Sequence, residues 1–144
     1  RILIGGEESA GLTIGGHVPE KDGILACLLV AEMVAVERRK IGELLEDLYR
    51  RVGPVYTKRT NLRLSGELAS NVTLKLERPP AQIGERKIVE VVRIDGCKYL
   101  FDDGSWLLFR KSGTEPVVRL YGEANTQNAL DELMLEGEKF ILNG

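Results

Sequence analysis

The hydrophobic and polar positions divide the chain into segments with strand, loop and helix periodicity. Arg1–Ile4 reads as the end of a strand, and Gly5 to Gly23 as a glycine-rich loop closed by Pro19 and Asp22. Asp22 suits an N-cap, because its carboxylate can accept from the free amides of a first helical turn. The helix it opens is expected from Gly23 to about Arg39. That segment is apolar on nearly every side, from Ile24 to Val36 with Glu32 the exception. A helix of this kind is expected to be buried on every side. The residues before it are too few to wrap it, so the expectation is a covering sheet outside this stretch. Glu37-Arg38-Arg39-Lys40 is expected to put cations into the last turn, where the helix dipole favours them.

A second helix is predicted from Ile41 to about Val52, with Leu44, Leu45 and Leu48 on one stripe and Gly53-Pro54 as its stop. The domain boundary is placed there, giving segments 1–53 and 54–144. The second segment reads as α+β. Tyr56–Thr60, Lys87–Ile94, Tyr99–Phe101, Trp106–Arg110 and Val117–Glu123 carry strand patterns. Asp95-Gly96 and Asp102-Asp103-Gly104 supply turns between them. Ser65–Arg78 is ambiguous and favours helix, with Pro79-Pro80 ending it. Thr126 caps a last helix to about Leu142, with Ala129, Leu130, Leu133, Met134 and Ile141 apolar.

Composition narrows the function classes. The 144 residues carry 20 Lys and Arg against 22 Asp and Glu, a net charge of −2. That balance lacks the basic excess of a nucleic-acid footprint or a polybasic membrane anchor. The longest apolar run, Ile24 to Val36, is shorter than the ~17–25 residues needed to span a bilayer. No signal peptide opens the chain, so the expected location is cytoplasmic. It begins at Arg1 rather than Met and enters a strand at once, from which an excised fragment is expected. Cys27 and Cys97 lie in apolar or strand-like runs and are expected to be small buried hydrophobes. One His and no CxxC argue against a zinc site.

Two loops carry chemistry. Gly6-Glu7-Glu8-Ser9-Ala10-Gly11 fits neither GxxxxGK[ST] nor GxGxxG, and its two carboxylates would repel a phosphate. Carboxylates and a hydroxyl are instead good acceptors for vicinal sugar hydroxyls. A solvated turn is the competing reading. The second loop, Arg110-Lys111-Ser112-Gly113-Thr114-Glu115-Pro116, runs into Val117-Val118-Arg119 between two strands. Arg110 and Arg119 can converge at its mouth, and Ser112 and Thr114 add hydroxyls. Gly113 is expected to permit a backbone nest of N–H groups for an anion. An ordinary charged hairpin is the alternative. Between the first loop and the apolar helix lie His17 and Lys21. His17 is a structural residue or a functional one. Lys21, beside the positive end of the helix dipole, is expected to have a depressed pKa suited to proton transfer, or else to be an ordinary exposed lysine.

Taken together these segments resemble the α-D-phosphohexomutase superfamily, most closely its phosphoglucomutase branch. Gly6–Gly11 is similar to the sugar-binding loop of that family's third domain, and His17–Gly23 to the segment after it. Arg110–Pro116 with Arg119 is similar to the phosphate-binding loop of the fourth domain. The two loops stand about 100 residues apart with a domain break between them, and the resemblance covers essentially the whole chain.

The resemblance implies an antiparallel sheet with helices on one face for the C-terminal domain, like the TATA-box-binding-protein half-domain. Before it would stand the tail (strand, loop, helix) of an α/β/α domain. The likeness to a DNA-binding fold carries no function by itself. The implied reaction interconverts glucose 1-phosphate and glucose 6-phosphate. A phosphoserine donates its phosphoryl group, a glucose 1,6-bisphosphate intermediate reorients, and the other phosphate returns to the serine.

Glu7 and Ser9, by resemblance, hold ring hydroxyls that stay equivalent after the flip. Arg110, Ser112, Gly113 and Thr114 hold the non-reacting phosphate, with Arg119 supporting. Lys21 matches a phosphate contact or general acid, with His17 the neighbouring candidate. Glu8 stands where the glucose branch more often has Glu, which favours phosphoglucomutase over phosphomannomutase specificity. No Thr-Ala-Ser-His-Asn-Pro-like serine loop and no Asp-Gly-Asp-Gly-Asp-like magnesium loop occurs in the sequence. The Mg2+ ligands and nucleophile are therefore expected in the remaining domains of the same enzyme, and this polypeptide alone is expected to be inactive. A stand-alone phosphosugar-binding module, or an interaction domain with degenerate loops, are the competing readings.

Overall fold

The computed structural model describes residues 3–7, 11–64, 66–113 and 115–142, without the side chains of 66–70. The chain divides into two compact units, Arg1–Arg51 and Val52–Gly144.

In the first unit β1 (Ile4–Gly6) pairs antiparallel with β2 (Leu12–Ile14), Ile4 opposite Ile14 and Gly6 opposite Leu12. The expected loop from Gly5 to Gly23 therefore holds a strand. The alternation of Leu12, Thr13 and Ile14 is too short to stand out in the sequence, and only the partner strand stabilises it. The expected strand end moves forward to Gly6 for the same reason, Arg1 and Ile2 lying outside the described residues.

Helix α1 (Gly23–Glu37) starts as expected. One Asp22 carboxylate oxygen accepts from the Ile24 and Leu25 amides, at 3.0 Å each. It ends earlier than expected. Arg38 takes a left-handed conformation (φ 51°) and donates its N–H to the Val34 carbonyl at 2.9 Å. The last turn thus holds no cation, and Arg38, Arg39 and Lys40 fall beyond it. No residue of α1 is buried, so its apolar sides find no cover among the described residues. Cys27 is accordingly exposed, contrary to expectation. Helix α2 (Ile41–Val52) is strongly amphipathic. Asp47 on its polar side takes ion pairs from both Arg39 and Arg50.

The second unit is an all-antiparallel sheet in the order β3-β8-β7-β6-β5-β4. Its strands are β3 (Tyr56–Arg63), β4 (Gln82–Ile83), β5 (Arg86–Val92), β6 (Cys97–Phe101), β7 (Trp106–Lys111) and β8 (Val117–Ala124). Two helices, α3 (Gly66–Glu77) and α4 (Gln127–Leu142), complete it. β4 escapes the sequence pattern because it has two residues and follows Pro79-Pro80.

Strand alternation builds the core. Cys97, Tyr99 and Phe101, then Leu107 and Phe109, then Val118, Leu120 and Ala124 all point to one face. There they meet Val72 and Leu76 of α3 and Leu130, Leu133, Met134 and Ile141 of α4. The rings of Tyr99, Phe109 and Phe140 pack in a triangle with centroids 5.6–6.2 Å apart. Burial pushes the Tyr99 hydroxyl pKa up, and that hydroxyl has no hydrogen-bond partner among the described residues. Thr126 caps α4, its hydroxyl accepting from the Ala129 amide at 3.2 Å. Both helices lie on one sheet face, the α+β architecture expected. The other face carries the intervening residues of each strand.

Candidate functional site

The first unit gathers Glu7, His17, Lys21 and Asp22 around the β1–β2 hairpin. The Glu7 amide donates to the Gly11 carbonyl at 2.9 Å, closing the loop on itself. The Asp22 amide donates to the Leu12 carbonyl at 3.2 Å, which holds the start of α1 against β2. The Lys21 ammonium lies 3.4 Å from a Glu7 carboxylate oxygen and 3.5 Å from one of Glu20. A Cβ at Gly11 would come within 2.7 Å of Lys21 Cδ and 3.0 Å of Glu7 Oε2. A side chain at this position would press on the Lys21 stem and the Glu7 carboxylate.

This geometry corrects the expectation for Lys21. The hydrogen bond to Glu7 and the charges of Glu20 and Glu7 raise its pKa above the ordinary lysine value rather than depress it. The helix dipole is outweighed by two carboxylates in contact. The raised value favours the charged ammonium. His17 Nε2 sits 2.9 Å from Asp22 Oδ2, while Oδ1 of the same carboxylate caps α1. Bonds from the Leu25 amide and from His17 lower the Asp22 pKa. Glu8 and Ser9 lie outside the described residues.

The second unit presents Arg110 and Arg119. They are directly opposed across β7 and β8, on the face away from the core, because each alternates with buried neighbours (Phe109; Val118 and Leu120). Beyond them the chain turns tightly. The Ser112 amide donates to the Val117 carbonyl at 2.9 Å, and the Glu115 amide to the Ser112 hydroxyl at 3.3 Å. Gly113 has open space where a side chain would stand. Its φ is not positive, so the left-handed residue a backbone nest requires is not at Gly113. Thr114 lies outside the described residues. Lys111 is turned aside and donates to the Thr73 hydroxyl at 2.7 Å.

One contact here was not foreseen. Asp95 Oδ1 lies 3.1 Å from Arg110 Nε. It is delivered by the β5–β6 turn, where Gly96 has φ +98°. A Cβ at Gly96 would fall 2.5 Å from the Phe109 carbonyl oxygen. The Asp95-Gly96 pair read only as a turn. What the sequence hides is the register that puts Cys97 opposite Phe109 and so brings this turn beside Arg110. Arg119 has no ion pair among the described residues.

Among the described residues no three of His, Cys, Asp and Glu gather to hold a metal, and no step is derived through one. No helix among them is long and apolar enough to cross a membrane.

Comparison with known proteins agrees with these two units. Residues 1–52 match the family described as phosphoglucomutase/phosphomannomutase, alpha/beta/alpha domain III. Residues 67–137 match the phosphoglucomutase/phosphomannomutase C-terminal domain. A phosphoglucomutase/phosphomannomutase of Thermococcus kodakarensis is 31% identical over 138 residues, 96% of this chain and 28% of that protein. A probable phosphoglucosamine mutase of Pyrococcus horikoshii is 34% identical over 140 residues, 96% of this chain and 29% of that protein. The crystal structure of parafusin, a phosphoglucomutase from Paramecium, in its open form, aligns with a TM-score of 0.72 at 23% identity, covering 97% of this chain and 30% of that one. The chain thus spans under a third of the length of these relatives.

Proposed function

The chain belongs to the phosphoglucomutase/phosphomannomutase family of the phosphohexomutase superfamily, and we propose that it supplies the sugar- and phosphate-binding parts of a hexose-phosphate mutase. The observation that carries this reading is the opposed pair Arg110 and Arg119 at the mouth of the β7–β8 loop. Asp95 holds the Arg110 guanidinium, and an anion at the loop mouth would meet both arginines. Arginine's fork matches a phosphate's oxygens two at a time. Ser112 and Thr114 add hydroxyl donors, and the open space at Gly113 lets a ligand approach the backbone.

In the proposed mechanism this loop holds the phosphate that is not being transferred. Glu7, with Glu8 and Ser9, accepts from ring hydroxyls. Lys21, held protonated by Glu7 and Glu20, serves as a phosphate contact or a proton donor. His17 sets Asp22 and with it the start of α1. The phosphoserine and magnesium chemistry belongs to parts of the enzyme whose motifs this sequence does not contain, so the polypeptide alone binds but does not turn over. A cytoplasmic setting and a bisphosphorylated sugar intermediate follow from the same reading.

Glucose 1- and 6-phosphate are the favoured substrates. The names of the relatives include phosphoglucosamine mutases, which makes a 2-amino sugar phosphate the specific alternative. Titration of the purified chain with glucose 1-phosphate tests the reading. Saturable binding weakened tenfold or more by Arg110→Ala is expected. Equal affinity of wild type and variant would remove the phosphate loop from the account, and turnover by the chain alone would remove the claim of inactivity.

A further inference from the structure

We propose that Arg63, at the end of β3, is a third arginine of the phosphate site, with Asn61 beside it as an amide contact; the inference rests on the phosphate-loop reading above. The sheet order puts β3 next to β8, which lies next to β7. Asn61 is opposite Arg119, which is opposite Arg110, so the three form one row across three strands. Arg63 is opposite Val117, two residues along β8 from Arg119 and on the same face. That is the diagonal neighbour position, within reach of a long side chain.

Three further observations separate Arg63 from a solvated surface cation. The Leu64 amide donates to the Pro116 carbonyl at 2.9 Å, fastening the end of β3 to the phosphate loop itself. Asn61 and Arg63 line a cavity of about 440 Å³ with Glu115, Pro116 and Val117 of that loop. And Arg63 has no ion pair or hydrogen-bonding partner among the described residues, although Glu115 lines the same cavity. Other arginines of this unit are engaged: Arg86 by Asp103 and Glu132, Arg93 by the Glu77 carbonyl, Arg110 by Asp95. Arg63 and Arg119, which with Arg78 lack a side-chain partner among the described residues, are diagonal neighbours flanking the loop. An anion seated over Arg119 would have Arg110 on one side and Arg63 on the other. A phosphate dianion has oxygens enough for all three guanidiniums, and its charge offsets the repulsion among them.

The test uses the full chain and two probes, inorganic phosphate and glucose 1-phosphate, with Arg63→Ala, Arg63→Lys, Arg110→Ala and, as a charge control on the same unit, Lys87→Ala. Arg63→Ala is expected to weaken both probes about tenfold and to flatten the salt dependence of binding. Arg63→Lys is expected to recover part of the loss, and Lys87→Ala to change affinity less than twofold. If Arg110→Ala weakens binding while Arg63→Ala does not, or does so no more than Lys87→Ala, the inference is overturned and the phosphate loop stands. A loss with glucose 1-phosphate but not with inorganic phosphate also overturns it, because Arg63 would then read the sugar. If Arg110→Ala is silent as well, or the wild-type chain binds neither probe, the phosphate-loop reading fails and the inference with it.

Discussion

The two units meet their hydrophobic residues in opposite ways. In the second, α4 inserts Leu130, Leu133, Met134 and Ile141 into a sheet face already lined by Tyr99, Leu107, Phe109 and Leu120. In the first, α1 is the more apolar helix, yet none of its residues is buried, and Leu28 remains 62% exposed. Apolar content alone therefore says little about self-sufficiency. Stability comes from a face that has a partner face, and α4 has one within these residues. The two loops proposed to bind substrate inherit that difference. Arg110 and Arg119 stand on a sheet whose reverse side is a packed core. Glu7 follows a strand of three residues, and Lys21 lies in the segment before α1, tied to β2 by the bond from the Asp22 amide to the Leu12 carbonyl.

The contrast can be broken most forcefully in the core. Leu133→Ala should cost about 2–5 kcal/mol in urea denaturation, as deletions from packed interiors do. Leu28→Ala should stay within about 0.5 kcal/mol, as surface changes do. Comparable costs at both positions would mean that α1 is covered within the chain after all. Gly96→Ala comes next. Its positive φ and the 2.5 Å approach to the Phe109 carbonyl should cost about 1–3 kcal/mol and weaken phosphate binding through the neighbouring Arg110. Normal stability and affinity in this variant would show that the turn is not clamped to β7.

Smaller effects concern charge in the first unit. The folded-state pKa of Asp22 is lowered, so its stabilising bonds are present above the ordinary aspartate range and are lost as pH falls through the lowered value. Amide exchange at Ile24 and Leu25 should therefore stay slow at pH 5 and lose protection only under more acidic conditions. Protection unchanged at pH 2 would argue against the cap. For Lys21 the sign reverses, since its pKa is raised. Its contribution is present below the ordinary lysine value and is lost as pH rises through the folded one. Glu7→Gln should move the Lys21 ammonium titration downward in an NMR experiment. A titration that does not move would mean that the Glu7 contact is not maintained in solution.

Much of this was legible in the sequence where local pattern and burial agree. Every strand of the second unit longer than two residues has an alternating or turn-bounded signature, and Thr126 and Asp22 mark the helix starts they cap. The proposed phosphate loop stands out because its candidate donors are consecutive in sequence. What remained hidden depends on register or on non-local charge. β2 and β4 are too short to show a period. Asp95 reaches Arg110 only through strand pairing, and Arg63 reaches the loop only because β3 pairs with β8. The direction of the Lys21 shift escapes the sequence because its neighbours there suggest a dipole, while the fold brings Glu7 from 14 residues away.

The central claim is that the β7–β8 loop is the phosphate site, and amide chemical-shift mapping of the isotope-labelled chain tests it most directly. Adding glucose 1-phosphate should shift the amides of residues 110–115, Val117 and Arg119 in a saturable manner, leaving Glu85, Asp102 and Asp103 on the opposite part of the sheet unmoved. Saturable shifts confined to residues away from that loop would contradict the account.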